Sequence, residues 1–114
     1  MDVKEFYVSI EPESVLDLIQ THIVDGSFSG KVIDVYERIV GNQQLVVCII
    51  EKYYMRSSNR ASLTITVDNL EGKTKVHAVA SGGGEGAFFR FDWGAGNSFV
   101  NSVVRALEEY IIEN

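Results

Sequence analysis

The sequence predicts an α+β domain in the order β-α-β(4 or 5)-α, with one curved antiparallel sheet and a long C-terminal helix packed across it. Three observations carry this prediction. Several segments between Val3 and Ser81 alternate apolar and polar residues, the period of strands with one face in a core. Two others, after Pro12 and after Asn97, space their apolar residues three and four apart, the period of an amphipathic helix. The strand segments are separated by turns too short for a parallel crossover, so neighbours should pair antiparallel.

In Val3 to Ile10, Phe6, Val8 and Ile10 fall on one side and Glu5, Tyr7 and Ser9 on the other. Pro12 suits a first helical position, where its missing N–H costs nothing. Val15, Ile19 and Ile23, with Leu16 beside them, form the stripe of a helix that Asp25-Gly26 should stop. Lys31 to Val40 is a strand rich in Val, Ile and Tyr, and Gly41-Asn42 is a two-residue hairpin turn. Gln43 to Met55 follows, with Leu45 to Ile50 apolar on both faces, so it should be central or covered twice. Arg56 to Arg60 is polar and turn-like. Ala61 to Asp68 points Ala61, Leu63, Ile65 and Val67 inward, Asn69 to Gly72 turns, and Lys73 to Ser81 points Thr74, Val76, Ala78 and Ala80 inward. Ala87 to Trp93 is a further short strand candidate. Asn97 or Ser98 caps a last helix whose stripe is Phe99, Val100, Val103, Val104, Leu107, Tyr110 and Ile111. Glu108, Glu109 and Glu113 carry the wrong sign for the end of that helix, a cost too small to outweigh seven apolar residues.

At 114 residues the chain fits a single domain, 1–114, large enough to bury a core without disulfide or metal staples. A net charge of −6 argues against nucleic-acid binding, which draws its affinity from basic faces, and against docking on anionic membranes. The longest strongly apolar run, Leu45 to Ile50, falls far short of the roughly 20 residues of a membrane span. The first residues lack the basic and apolar regions of a secretory signal, and the lone Cys48 sits in an apolar run, so a cytoplasmic location is expected.

No motif fixes a reaction or a cofactor. Gly82, Gly84 and Ala87 match a loose dinucleotide pattern, but aromatic, strand-like sequence follows where a helix should open. His22 and His77 have no paired spacing and no second cysteine, so no metal site is expected. The polar concentration lies in two loops, 53–60 and 90–98. There Arg56, Arg60 and Arg90 offer bidentate donors, Tyr54 and Trp93 stacking surfaces, and Asn97 a helix N-terminus, with Asp92 among them. Together they would suit a small anionic ligand. The competing expectation is structural: Arg90 paired with Asp92 or Glu85, Trp93 packed beneath the helix, and solvated loop arginines.

The stretches EKYYMRSSNRAS (Glu51 to Ser62) and ASGGGEGAFFRFDWGAGNSFV (Ala80 to Val100) resemble those of a family of short bacterial proteins known only as a domain of unknown function. The resemblance runs nearly the full length and implies a stand-alone cytoplasmic domain, with no activity or site to carry over. The element order resembles TATA-binding-protein-like and helix-grip folds, an analogy of architecture that confers no function. The leading expectation is a non-enzymatic small-ligand-binding or protein-interaction module that self-associates as a homodimer. The alternative is an enzyme or sensor acting on a small anion held by the 53–60 and 90–98 loops.

Overall fold

A computed structural model describes residues 2–24, 30–54, 59–82 and 97–112 of the chain. Strands form close to where they were expected, except that the fourth begins at Asn59, inside the segment 56–60 read as turn-like. β1 spans Asp2–Val8, β2 Lys31–Val40, β3 Gln43–Tyr54, β4 Asn59–Asp68 and β5 Thr74–Gly82. The inward residues predicted for β4 and β5 are buried: Ala61, Leu63, Ile65 and Val67 on one, Thr74, Val76, Ala78 and Ala80 on the other. α1 spans Pro12–Ile19, with Pro12 opening it behind an extended Glu11, and then widens into a π-helical turn over Gln20–Val24. Its stripe of Val15, Ile19 and Ile23 is fully buried.

Two tight turns sit side by side at one end of the sheet. Gly41 takes φ +60° between Val40 and Gln43, a conformation that a Cβ disfavours. Asn69 joins this turn to the next: its backbone N–H donates to the Gln44 carbonyl at 3.2 Å, its Oδ1 accepts from Gln44 N–H at 2.7 Å, and its amide donates to the Asn42 carbonyl at 3.2 Å.

The last helix is shorter than its apolar stripe predicts. α2 spans Asn97–Leu107, 11 residues, and gives way to a 3₁₀ turn over Glu108–Tyr110 and a two-residue strand, β6, Ile111–Ile112. Tyr110 and Ile111 therefore meet the core from outside the helix. β1 supplies the physical reason. Its second edge needs partners for its backbone groups, and β6 pairs Ile111 with Val8 and Ile112 with Tyr7, while Ser9 N–H donates to the Tyr110 carbonyl at 2.8 Å. Glu108 and Glu109 thus lie beyond the helix, whose last turn holds Arg105, the sign its negative end favours.

The six strands form one antiparallel sheet in the order β2-β3-β4-β5-β1-β6. Both helices lie on the same face: α1 against β3 and β4, α2 against β1 and β5, each touching the other. Val46, Cys48, Ile50, Leu63, Ile65, Val76, Val100, Val103 and Leu107 are buried between sheet and helices. β3 is second from the edge rather than central. Its open-face residues Leu45, Val47 and Ile49 are half-buried beside their strand neighbours. The strand candidate at 87–93 and the glycine run beyond Gly82 lie outside the described residues.

Candidate functional site

Of the seven residues expected to hold an anion, Arg56, Arg90, Asp92 and Trp93 lie outside the described residues. Tyr54 ends β3 opposite Asn59, and Asn97 opens α2. Arg60 lies opposite Tyr53 on β4, and its Nη1 is 3.3 Å from Glu51 Oε1, with both side chains well exposed. Such a pair is worth between nothing and about 1 kcal/mol. Its geometry suits a solvated surface contact as well as a ligand donor.

Two hollows among the described residues are small. One, lined by Leu18, His22, Arg105, Glu108, Glu109 and Tyr110, encloses about 210 Å³. Another, beside Val8, Pro12, Asn69 and Ile112, encloses about 280 Å³. Ligand clefts usually run from roughly 300 to 1,000 Å³. No three His, Cys, Asp or Glu side chains cluster as a metal needs among the described residues.

The uncovered face of the sheet divides into a polar and an apolar half. On β4 and β5 it carries Ser62, Thr64, Thr66, His77 and Ser81 around Val79, which pairs with the exposed Val3 of β1, and Ser62 and Ser81 share a hydrogen bond of 3.0 Å. Beyond them, pairing of β1 with β5 assembles a charged cluster. Tyr7 Oη donates to Glu71 Oε1 at 2.8 Å, Lys75 lies 3.6 Å from Glu71 and 3.8 Å from Glu5, and His77 Nδ1 is 2.8 Å from Glu5. Lys73 stands over the Tyr7 ring, 4.8 Å from its centre. The bond from Tyr7 holds the Glu71 carboxyl below its usual range, helped by Lys75, and that bond raises the Tyr7 phenol. Every charge in the cluster faces an opposite one, and the cluster is open to solvent.

The apolar half is at the other edge. Every residue of β2 except Val32 is exposed; among the described residues the helices pack on β1 and β3 to β5, and the π-helical turn touches β2. Tyr36 is 49% exposed, Ile39 60% and Val40 66%, with Ile33 and Val35 also exposed. The register places Asp34, Tyr36, Arg38 and Val40 on the open face, opposite Ile49, Val47, Leu45 and Gln43 of β3. Arg38 Nη1 donates to Tyr36 Oη at 3.2 Å. A bulge at Ile33 breaks the ladder near the start of β2, and from Asp34 to Val40 it runs without interruption. β2 is thus a 10-residue edge strand, apolar on both faces and unpaired on its outer side among the described strands. The sequence marks Lys31 to Val40 as a strand but does not show that it would be an edge.

Residues 1–111 match a family of unknown function, DUF6054. No curated protein matches the chain.

Proposed function

We propose, for a chain that belongs to this family of unknown function, that it acts as a non-enzymatic protein-interaction module that self-associates through the β2 edge of its sheet. One observation carries this reading: a long edge strand that exposes Tyr36, Ile39 and Val40 and whose outer side is unpaired among the described strands. Soluble proteins blunt such edges with charge, proline, bulges or short strands, because an open apolar edge recruits another strand. Here the straight section carries three charges, Asp34, Glu37 and Arg38, of mixed sign and no proline. The small hollows and the solvated charged cluster offer a ligand less enclosure than this edge offers a strand. Sedimentation velocity from micromolar to millimolar concentration tests the reading. A mass rising to twice that of the chain, and returning to one chain when Tyr36→Lys and Ile39→Lys are introduced together, is the expected result. A single-chain mass throughout would reject it.

A further inference from the structure

The composition of the edge also selects how two copies would meet. Strand addition between identical copies about a two-fold axis perpendicular to the sheet pairs β2 antiparallel with itself, so one residue lies opposite its own twin. Each choice of central residue then fixes every other pair. Centring on Asp34, Glu37 or Arg38 sets a charge against an identical charge. Centring on Val35 sets no charge opposite another. Centring on Tyr36 places Asp34 opposite Arg38 of the second copy, and symmetry repeats the pair. On the uninterrupted ladder the same register sets Val35 of one copy against Glu37 of the other and brings the two Tyr36 side chains together. Asp34, Tyr36 and Arg38 share the open face, as their β3 partners and the Arg38–Tyr36 hydrogen bond show, so the charge pairs and the tyrosine pair fall on one surface.

We infer that the occupant of the β2 edge is a second copy of this chain, joined antiparallel in the register centred on Tyr36. The inference rests on the self-association reading above and adds its geometry. The product is a continuous sheet of twelve strands, six from each copy, with both helix layers on the same side. Opposite charges in cross-strand positions favour this register, and like charges penalise three of its neighbours.

Cysteine scanning and charge exchange test it on the full chain. Tyr36→Cys should form a disulfide-linked dimer on mild oxidation, since directly opposed strand residues lie about 4.5–5.5 Å apart at Cα, within disulfide reach. Arg38→Cys should stay unlinked, because its twin would be about 13 Å away along the strands. Asp34→Arg or Arg38→Asp alone should raise the dimer dissociation constant about tenfold by replacing two attractive pairs with two repulsive ones, and the two together should return it to within a few-fold of the native value. All these positions are exposed, and circular dichroism verifies that each variant folds. A native dimer in which Arg38→Cys cross-links and Tyr36→Cys does not, or in which the charge exchange fails to rescue, overturns the register and leaves self-association standing. A chain that remains monomeric to millimolar concentration overturns both.

Discussion

At the residue scale, the hydrogen bond between Tyr7 and Glu71 is the clearest electrostatic feature, because it shifts both partners in opposite directions. Tyr7→Phe should therefore raise the Glu71 pKa, which a carboxyl-detected NMR titration would measure. A carboxylate depressed in the folded state adds stability above its unfolded pKa and loses it as pH falls through the folded value. The variant should accordingly lose less stability than the native chain as pH falls below the unfolded carboxyl range. Cys48 behaves in the opposite sense. Burial, with a smaller contribution from Asp34, pushes its thiol up to about 11. Both states hold the proton at neutral pH, and the unfolded chain releases it first as pH rises, so stability should fall from the ordinary thiol range toward about 11. The urea midpoint of the native chain, compared with Cys48→Ala across that range, would isolate the effect. In the folded state Cys48 should also react with thiol reagents far more slowly than in urea.

At the scale of elements, the two hairpin turns and the C-terminal segment hold the sheet's ends. Asn69→Ala removes the side-chain bonds that tie the β4–β5 turn to Gln44 and Asn42. It should cost about 1–3 kcal/mol, because the Gln44 N–H is left without its side-chain partner; chemical denaturation would give the value. The C-terminal segment separates two roles. A chain ending before Phe99 loses Phe99, Val100, Val103 and Leu107 from the core. At roughly 1.5–3 kcal/mol for each large side chain, that loss rivals the whole ~5–15 kcal/mol stability of a domain, and the chain should not fold. A chain ending at Leu107 keeps those residues and loses only the 3₁₀ turn and β6. It should melt cooperatively at a lower temperature, with faster amide exchange at Ser9, whose acceptor is the Tyr110 carbonyl. Calorimetry and hydrogen exchange on the two truncations would separate the cases.

At the scale of the whole molecule, one asymmetry governs the rest: two helices cover one face of a six-stranded sheet and stop short of β2. The polar outer residues of β4 and β5 let that part of the open face meet water. On the same face β3 carries Leu45, Val47 and Ile49, and β2 carries Tyr36 and Val40 beside Asp34 and Arg38; with Val35 and Ile39 exposed on its other face, the edge is the natural place for an added strand. Because the Asp34–Arg38 pairs of the inferred dimer would sit near solvent, raising the salt concentration should weaken association only modestly, whereas the paired lysine substitutions should abolish it. Sedimentation at low and high salt would read both effects. None of the chain's helices is long and apolar enough to cross a membrane among the described residues.

The sequence by itself determined most of the strands and helices and, for α1, β4 and β5, which side faces the core. Alternation in β4 and β5, and the spacing of Val15, Ile19 and Ile23, are local patterns that burial rewards directly, and Pro12 and Gly41 punctuate the chain through their own backbone preferences. Tertiary structure decided everything that depends on partners distant in sequence. Ile111 continues the helical stripe in the sequence, yet it becomes a strand because β1, more than a hundred residues earlier, offers an edge with groups to satisfy. Glu5 meets His77, and Tyr7 meets Glu71, only because β1 lies beside β5. The candidate site follows the same rule. The loop arginines stood out by composition, but the exposed character of β2 arises from strand order and from where the helices end, quantities that period and propensity along a single chain do not contain.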